Sequence, residues 1–208
     1  MPKKPWEFTD ALLIERLQRI AHILRETRLH TVTAYDPKVG DGPWSTGCLV
    51  YERSINRIGQ ASRNLPWLEV LSDSLEFVFA IGGVPIRFYR GDGDNPSNKQ
   101  LACCHTEIQQ LSLIDQQANG DLIWRLAVET DAAGFTTKIV LVGFEFENVG
   151  ARDKSIVCYY EIPESLDNVS LFPDRPAPRG EGVDLPAATP SLPTTADKEN
   201  NILDDSDD

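Results

Sequence analysis

The sequence predicts an α+β fold: two N-terminal helices packed on an antiparallel sheet of about five strands, with one intervening helix and a disordered acidic C-terminal tail. Three observations carry this reading. Apolar residues recur at helical spacing near the N-terminus and alternate with polar ones further on. Between these stretches a Gly pair stands inside apolar runs, the pattern of a hairpin. From residue 169 the composition turns to Pro, Ala, Thr and Asp, which cannot bury enough surface to offset the entropy of ordering. The expected organisation is a single α+β domain over residues 1–168 and a Pro-rich acidic tail over residues 169–208.

"TDALLIERLQRIAHILRETRLH" (9–30) reads as the first helix. Leu13, Leu17, Ile20 and Leu24 form its stripe, widened by Leu12 and Ala21, with Thr9 or Asp10 as the cap. Arg25 and Arg28 fall near its C-terminal end, where the helix dipole favours cations. "STGCLVYERSINRIGQAS" (45–62) reads as the second, with Cys48, Tyr51, Ile55 and Ile58 on one stripe and Arg53 and Arg57 opposite. "PWLEVL" is a short strand candidate.

In "FVFAIGGVPIRFYRG" (77–91), placing Gly82 and Gly83 at the turn sets Ile81 opposite Val84, Phe79 opposite Ile86 and Phe77 opposite Phe88. Every apolar residue of that set then shares one face. Pro85 falls where its missing N–H points away from the partner strand, so the outer side is open near the turn. Residues 91–100 read as a loop, and "LACCHTEIQQLSLIDQQ" (101–117) as a helix with Cys104, Ile108, Leu111 and Ile114 on its stripe. "DLIWRLAVETD", "TTKIVLVGFEFENVG" and "SIVCYYEIP" then form an antiparallel meander.

Charge and composition narrow the function classes. The formal net charge is -12, and residues 171–208 hold nine acidic against three basic side chains. Broad attraction to nucleic acid or anionic lipid needs clustered positive charge, so the balance disfavours both. No run approaches the roughly 18–20 apolar residues of a membrane helix. The opening "MPKKPWEFTD" lacks the apolar core of a secretory signal, so a cytoplasmic protein with reduced Cys48, Cys103, Cys104 and Cys158 is expected.

Chemical motifs are sparse. The Gly pair precedes a strand rather than a helix, unlike a phosphate-binding loop. "DGDNPSN" (92–98) lacks the acceptor and Gly of a calcium loop and reads as a polar turn. "CCH" (103–105) lacks chelating spacing, and no metal or cofactor is expected. The acidic pairs Glu129/Asp131 and Glu145/Glu147 read as the polar face of a half-solvated sheet. The candidate binding residues are Arg53, Arg57, Arg87, Tyr89 and Arg90, an Arg/Tyr set suited to a protein or phosphodiester contact.

The functional expectation is therefore a non-enzymatic cytosolic interaction or regulatory protein with a protein partner. The alternatives are a metal-dependent hydrolase or nuclease using Asp92, Asp94, Glu129 or Asp131, and a nucleic-acid-binding module using the arginine/tyrosine face.

Overall fold

The computed structural model describes residues 3–113, 122–145 and 156–164. In chain order these form α1 (Ile14–Thr33), α2 (Pro43–Ser62), β1 (Leu68–Ser72), β2 (Val78–Ile81), β3 (Val84–Arg90), α3 (Asn98–Leu101), α4 (His105–Leu113), β4 (Leu122–Thr130), β5 (Thr136–Glu145) and β6 (Ile156–Glu161). The tail expected from residue 169, the 147–154 loop and residues 114–117 of the expected third helix lie outside the described residues.

The strands form one mixed sheet of six, ordered as they occur in the chain. All neighbours are antiparallel except β3 and β4, which run parallel. The α+β class holds, with one strand more than expected and one parallel pair in place of a wholly antiparallel sheet. A parallel pair requires a long crossover, and the segment carrying α3 and α4 supplies it.

The hairpin forms in the expected register, with Phe79 opposite Ile86, Ala80 opposite Pro85 and Ile81 opposite Val84. Phe77 precedes the strand but is buried, its ring 6.2 Å from that of Phe88. The ladder between β3 and β4 begins at Ile86, so the open outer side is confined to Val84 and Pro85. Gly82 and Gly83 have φ of 57° and 87°, as a two-residue hairpin turn demands. Asn is the usual first residue of such a turn, and the reason for Gly here is contact. A Cβ on Gly82 would lie 2.9 Å from Cβ of Ala11, whereas one on Gly83 would meet nothing within 4 Å. Gly82→Val is therefore expected to cost about 1–3 kcal/mol, and Gly83→Asn much less. Urea unfolding checks this; equal costs for the two would contradict the contact with Ala11.

Strand alternation gives the sheet two faces, and both are covered. Ile86, Phe88 and Arg90 of β3 stand beside Trp124, Leu126 and Val128 of β4 on the face toward α1 and α2. On the other face Ala127, Val140, Val142 and Phe144 gather with Leu101 of α3, and Tyr89 and Tyr159 pack against them. β4 has neighbours on both sides and is buried continuously from Leu122 to Val128. The half-solvated sheet expected from the acidic pairs is thus not found in the middle of β4.

The expected stripe of α1 is buried except at Leu13, whereas α2 buries a different stripe from the one expected. In α1 the buried set continues past Leu24 through Thr27, Arg28 and Thr31, while Leu13 is the exposed N-cap and no side-chain cap bond forms. In α2 the buried residues are Val50, Ser54 and Ile58; Cys48 is exposed and Tyr51 and Ile55 are half-buried. Ser54 is tolerated inside because its hydroxyl donates to the Val50 carbonyl at 2.7 Å. Toward its N-terminus α2 leaves Trp44 82% exposed.

Candidate functional site: a cavity between the helices and the sheet

A cavity of about 250 Å³ opens where α1 and α2 cross the end of β3. Leu24 and Arg28 enter from α1; Gly47, Val50, Tyr51 and Ser54 come from α2. The sheet contributes Phe88, Tyr89, Arg90 and Val128. These positions follow from periodicity. Leu24 and Arg28 lie one turn apart on α1, as do Gly47, Val50 and Ser54 along α2, and Phe88 and Arg90 share one face of β3. The walls are chiefly apolar, as in most small-molecule sites.

Most polar side chains in the wall are already committed. The Tyr51 hydroxyl donates to the Leu75 carbonyl at 2.9 Å and accepts from the Phe77 N–H at 3.3 Å. Ser54 bonds its own helix; Tyr89 borders the cavity by its place in β3, but its side chain packs on the opposite face of the sheet, where its hydroxyl donates to the Asp92 carbonyl at 3.1 Å. Arg28 differs. It is only 5% exposed, its Nη1 donates to the Gly134 carbonyl at 3.1 Å, and its buried Nε has no partner. Among the described residues it forms no ion pair. Burial, and then the like charge of Arg90, push its pKa below the usual arginine value.

No family model, curated protein or solved structure matches the chain. The site is therefore read from its own chemistry.

The five residues expected to bind fall in separate places. Arg53 and Arg57 reach across to α1, donating to the Thr31 hydroxyl at 3.1 Å and the Thr27 hydroxyl at 3.3 Å, so they stitch the two helices together. Arg87 points to the opposite face of the sheet, 3.0 Å from the Ala102 carbonyl and 3.5 Å from Glu107. Tyr89 and Arg90 border the cavity; Arg90 Nε donates to the Thr130 hydroxyl at 3.3 Å.

Of the carboxylates named for metal chemistry, those of Glu129, Asp92 and Asp131 bond to local structure. Glu129 accepts from the Gly93 N–H at 3.2 Å and pairs with Lys138 at 3.2 Å. The Tyr159 hydroxyl first, and Glu129 next, hold the Lys138 ammonium above its usual pKa. Asp92 accepts from the Asp94 N–H, and Asp131 from the Phe135 N–H. Among the described residues no three His, Cys, Asp or Glu side chains gather as a metal ion requires. The four cysteines are free thiols. Burial, with Glu7 adding to it, pushes the Cys158 thiol up to about 11. Burial and then Glu107 raise that of Cys103 against the opposing pull of Arg125.

Two features escape a reading of the sequence. One is Arg28, which the sequence places in a last turn, although α1 runs on to Thr33. The other is the pair Arg125–Glu107, with exposures of 0% and 1%. Arg125 grips Glu107 through both Nη atoms and donates to the carbonyls of Gln100, Leu101 and Ala102. Glu107 also accepts from the Cys104 N–H, so the helix expected over 101–117 breaks at 102–104 and restarts at His105 with Glu107 inward and Ile108 exposed. An arginine inside the apolar run "LIWRLAV" was the available signal for that pair.

Proposed function

We propose that the protein is a non-enzymatic cytosolic binding protein that holds its ligand in the cavity between α1, α2 and the sheet. The observation that supports this is the buried Arg28 guanidinium, set in an apolar cavity wall without a counter-ion among the described residues. An uncompensated buried charge destabilises a fold, and its retention in a concave site is the mark of a ligand contact. A binding role fits better than turnover because the wall holds no carboxylate, histidine or thiol to act as a general base or nucleophile. Ser54 is bonded within its helix, and the Tyr51 hydroxyl is engaged by the Leu75 carbonyl and the Phe77 N–H. Four unpaired thiols fit a reducing compartment. The cavity favours a small ligand over the protein partner that the exposed arginines implied.

Gly47→Leu tests this reading. Gly47 borders the cavity, and a Cβ there would meet nothing within 4 Å, so a larger side chain can start from this position and add bulk at the cavity. Helix propensity also favours the change, by up to about 1 kcal/mol. The fluorescent probe 1-anilinonaphthalene-8-sulfonate is expected to bind the native protein at one site, to be recovered unchanged, and to lose that site in Gly47→Leu. Equal binding by both proteins would contradict the cavity as the site.

A further inference from the structure

Resting on the cavity reading above, we propose that the ligand is a small carboxylic acid with an apolar body. Its carboxylate pairs with Arg28 beside Arg90, and its body lies against Leu24, Val50, Phe88 and Val128.

The polar demand of the cavity is what identifies the class. With Tyr51 and Ser54 bonded within the protein and the Tyr89 side chain on the opposite face, the guanidiniums of Arg28 and Arg90 are the remaining polar side-chain groups of the wall. Both are cations that only donate hydrogen bonds, so the complementary ligand group is an anion that only accepts. With Nη1 of Arg28 held by Gly134 and Nε closed even to a water-sized group, Nη2 is the donor left to meet a ligand. Nη2 and the neighbouring Arg90 guanidinium supply the positive charge and N–H groups that a carboxylate accepts in charge-assisted hydrogen bonds. The rest of the wall offers apolar and aromatic surface, so the group attached to the carboxylate is apolar. At about 250 Å³ the space suits an acid of modest size rather than a polymer.

Calorimetric titration with 4-phenylbutanoate and its neutral isostere 4-phenylbutanamide tests the assignment. The carboxylate is expected to bind native protein about 10- to 100-fold more tightly than the amide, the worth of one charge-assisted hydrogen bond. In Arg28→Met the preference disappears while weak amide binding remains. Arg28→Lys, which keeps the charge, restores part of it; circular dichroism establishes that each variant is folded. Equal binding of acid and amide to native protein overturns the carboxylate assignment and leaves the cavity reading standing, as does binding of neither when the fluorescent probe still binds and Gly47→Leu abolishes it. Undiminished acid binding by Gly47→Leu places the acid elsewhere and overturns both.

Discussion

Arg125→Met is expected to lower the free energy of unfolding by about 3–5 kcal/mol. The side chain is fully buried in the central strand and supplies both hydrogen bonds that neutralise Glu107 from within the core. Removing it leaves a carboxylate at 1% exposure with Arg87 at 3.5 Å as its remaining ion pair among the described residues. It also strips the carbonyls of Gln100 and Leu101 of their Arg125 donor. Much of the penalty belongs to the stranded charge rather than to lost attraction. The double variant Arg125→Met/Glu107→Gln is accordingly expected to regain a large part of it, with a coupling of at least about 1 kcal/mol in a double-mutant cycle. Urea unfolding of the four proteins decides. A single variant that costs under about 1 kcal/mol, or strictly additive effects, would show that the pair does not clamp the crossover to the sheet.

Arg28→Met is expected to do the opposite to stability while removing acid binding. The native side chain is as deeply set as many core residues, yet it has one carbonyl partner and a like charge nearby. Methionine keeps the unbranched stem that packs against Leu24 and the sheet, and it removes the cost of keeping a cation out of water. The Gly134 carbonyl loses its donor, but that turn is half-exposed and water can replace it. The unfolding free energy should stay level or rise, by up to about 2 kcal/mol. Thermal and urea unfolding without ligand measure it. A loss of more than about 2 kcal/mol would make Arg28 a structural tie to the β4–β5 turn and withdraw the reason for treating it as a ligand contact.

These two arginines also mark where the sequence stops being legible. The Gly82-Gly83 hairpin could be read in full because a two-residue turn admits one register, and one register puts all the apolar residues together. The β4–β5–β6 meander could be read because each strand is an apolar, β-branched-rich run and consecutive strands pair antiparallel. The parallel β3–β4 pair could not, since strand order across a crossover leaves no local trace in composition. Nor could the extension of the buried α1 stripe past Leu24, because Thr27, Arg28 and Thr31 are polar. Thr27 and Thr31 become acceptable inside by donating their hydroxyls back to the Ile23 and Thr27 carbonyls, a bond that no hydropathy pattern reveals. Of the residues chosen for binding, Tyr89 and Arg90 border the cavity because they close β3; Arg53, Arg57 and Arg87 serve packing. Exposed charge and buried, satisfied charge look alike in a string of letters.

The account rests on the cavity as the place where ligand sits. Intermolecular nuclear Overhauser effects between 4-phenylbutanoate and methyl-labelled protein measure this directly. Contacts from the phenyl protons to Leu24, Val50 and Val128 are predicted, because their side chains form the apolar wall beside Arg28. Contacts confined to the exposed surface around Leu75, which is 93% exposed and lies outside the wall, would contradict it.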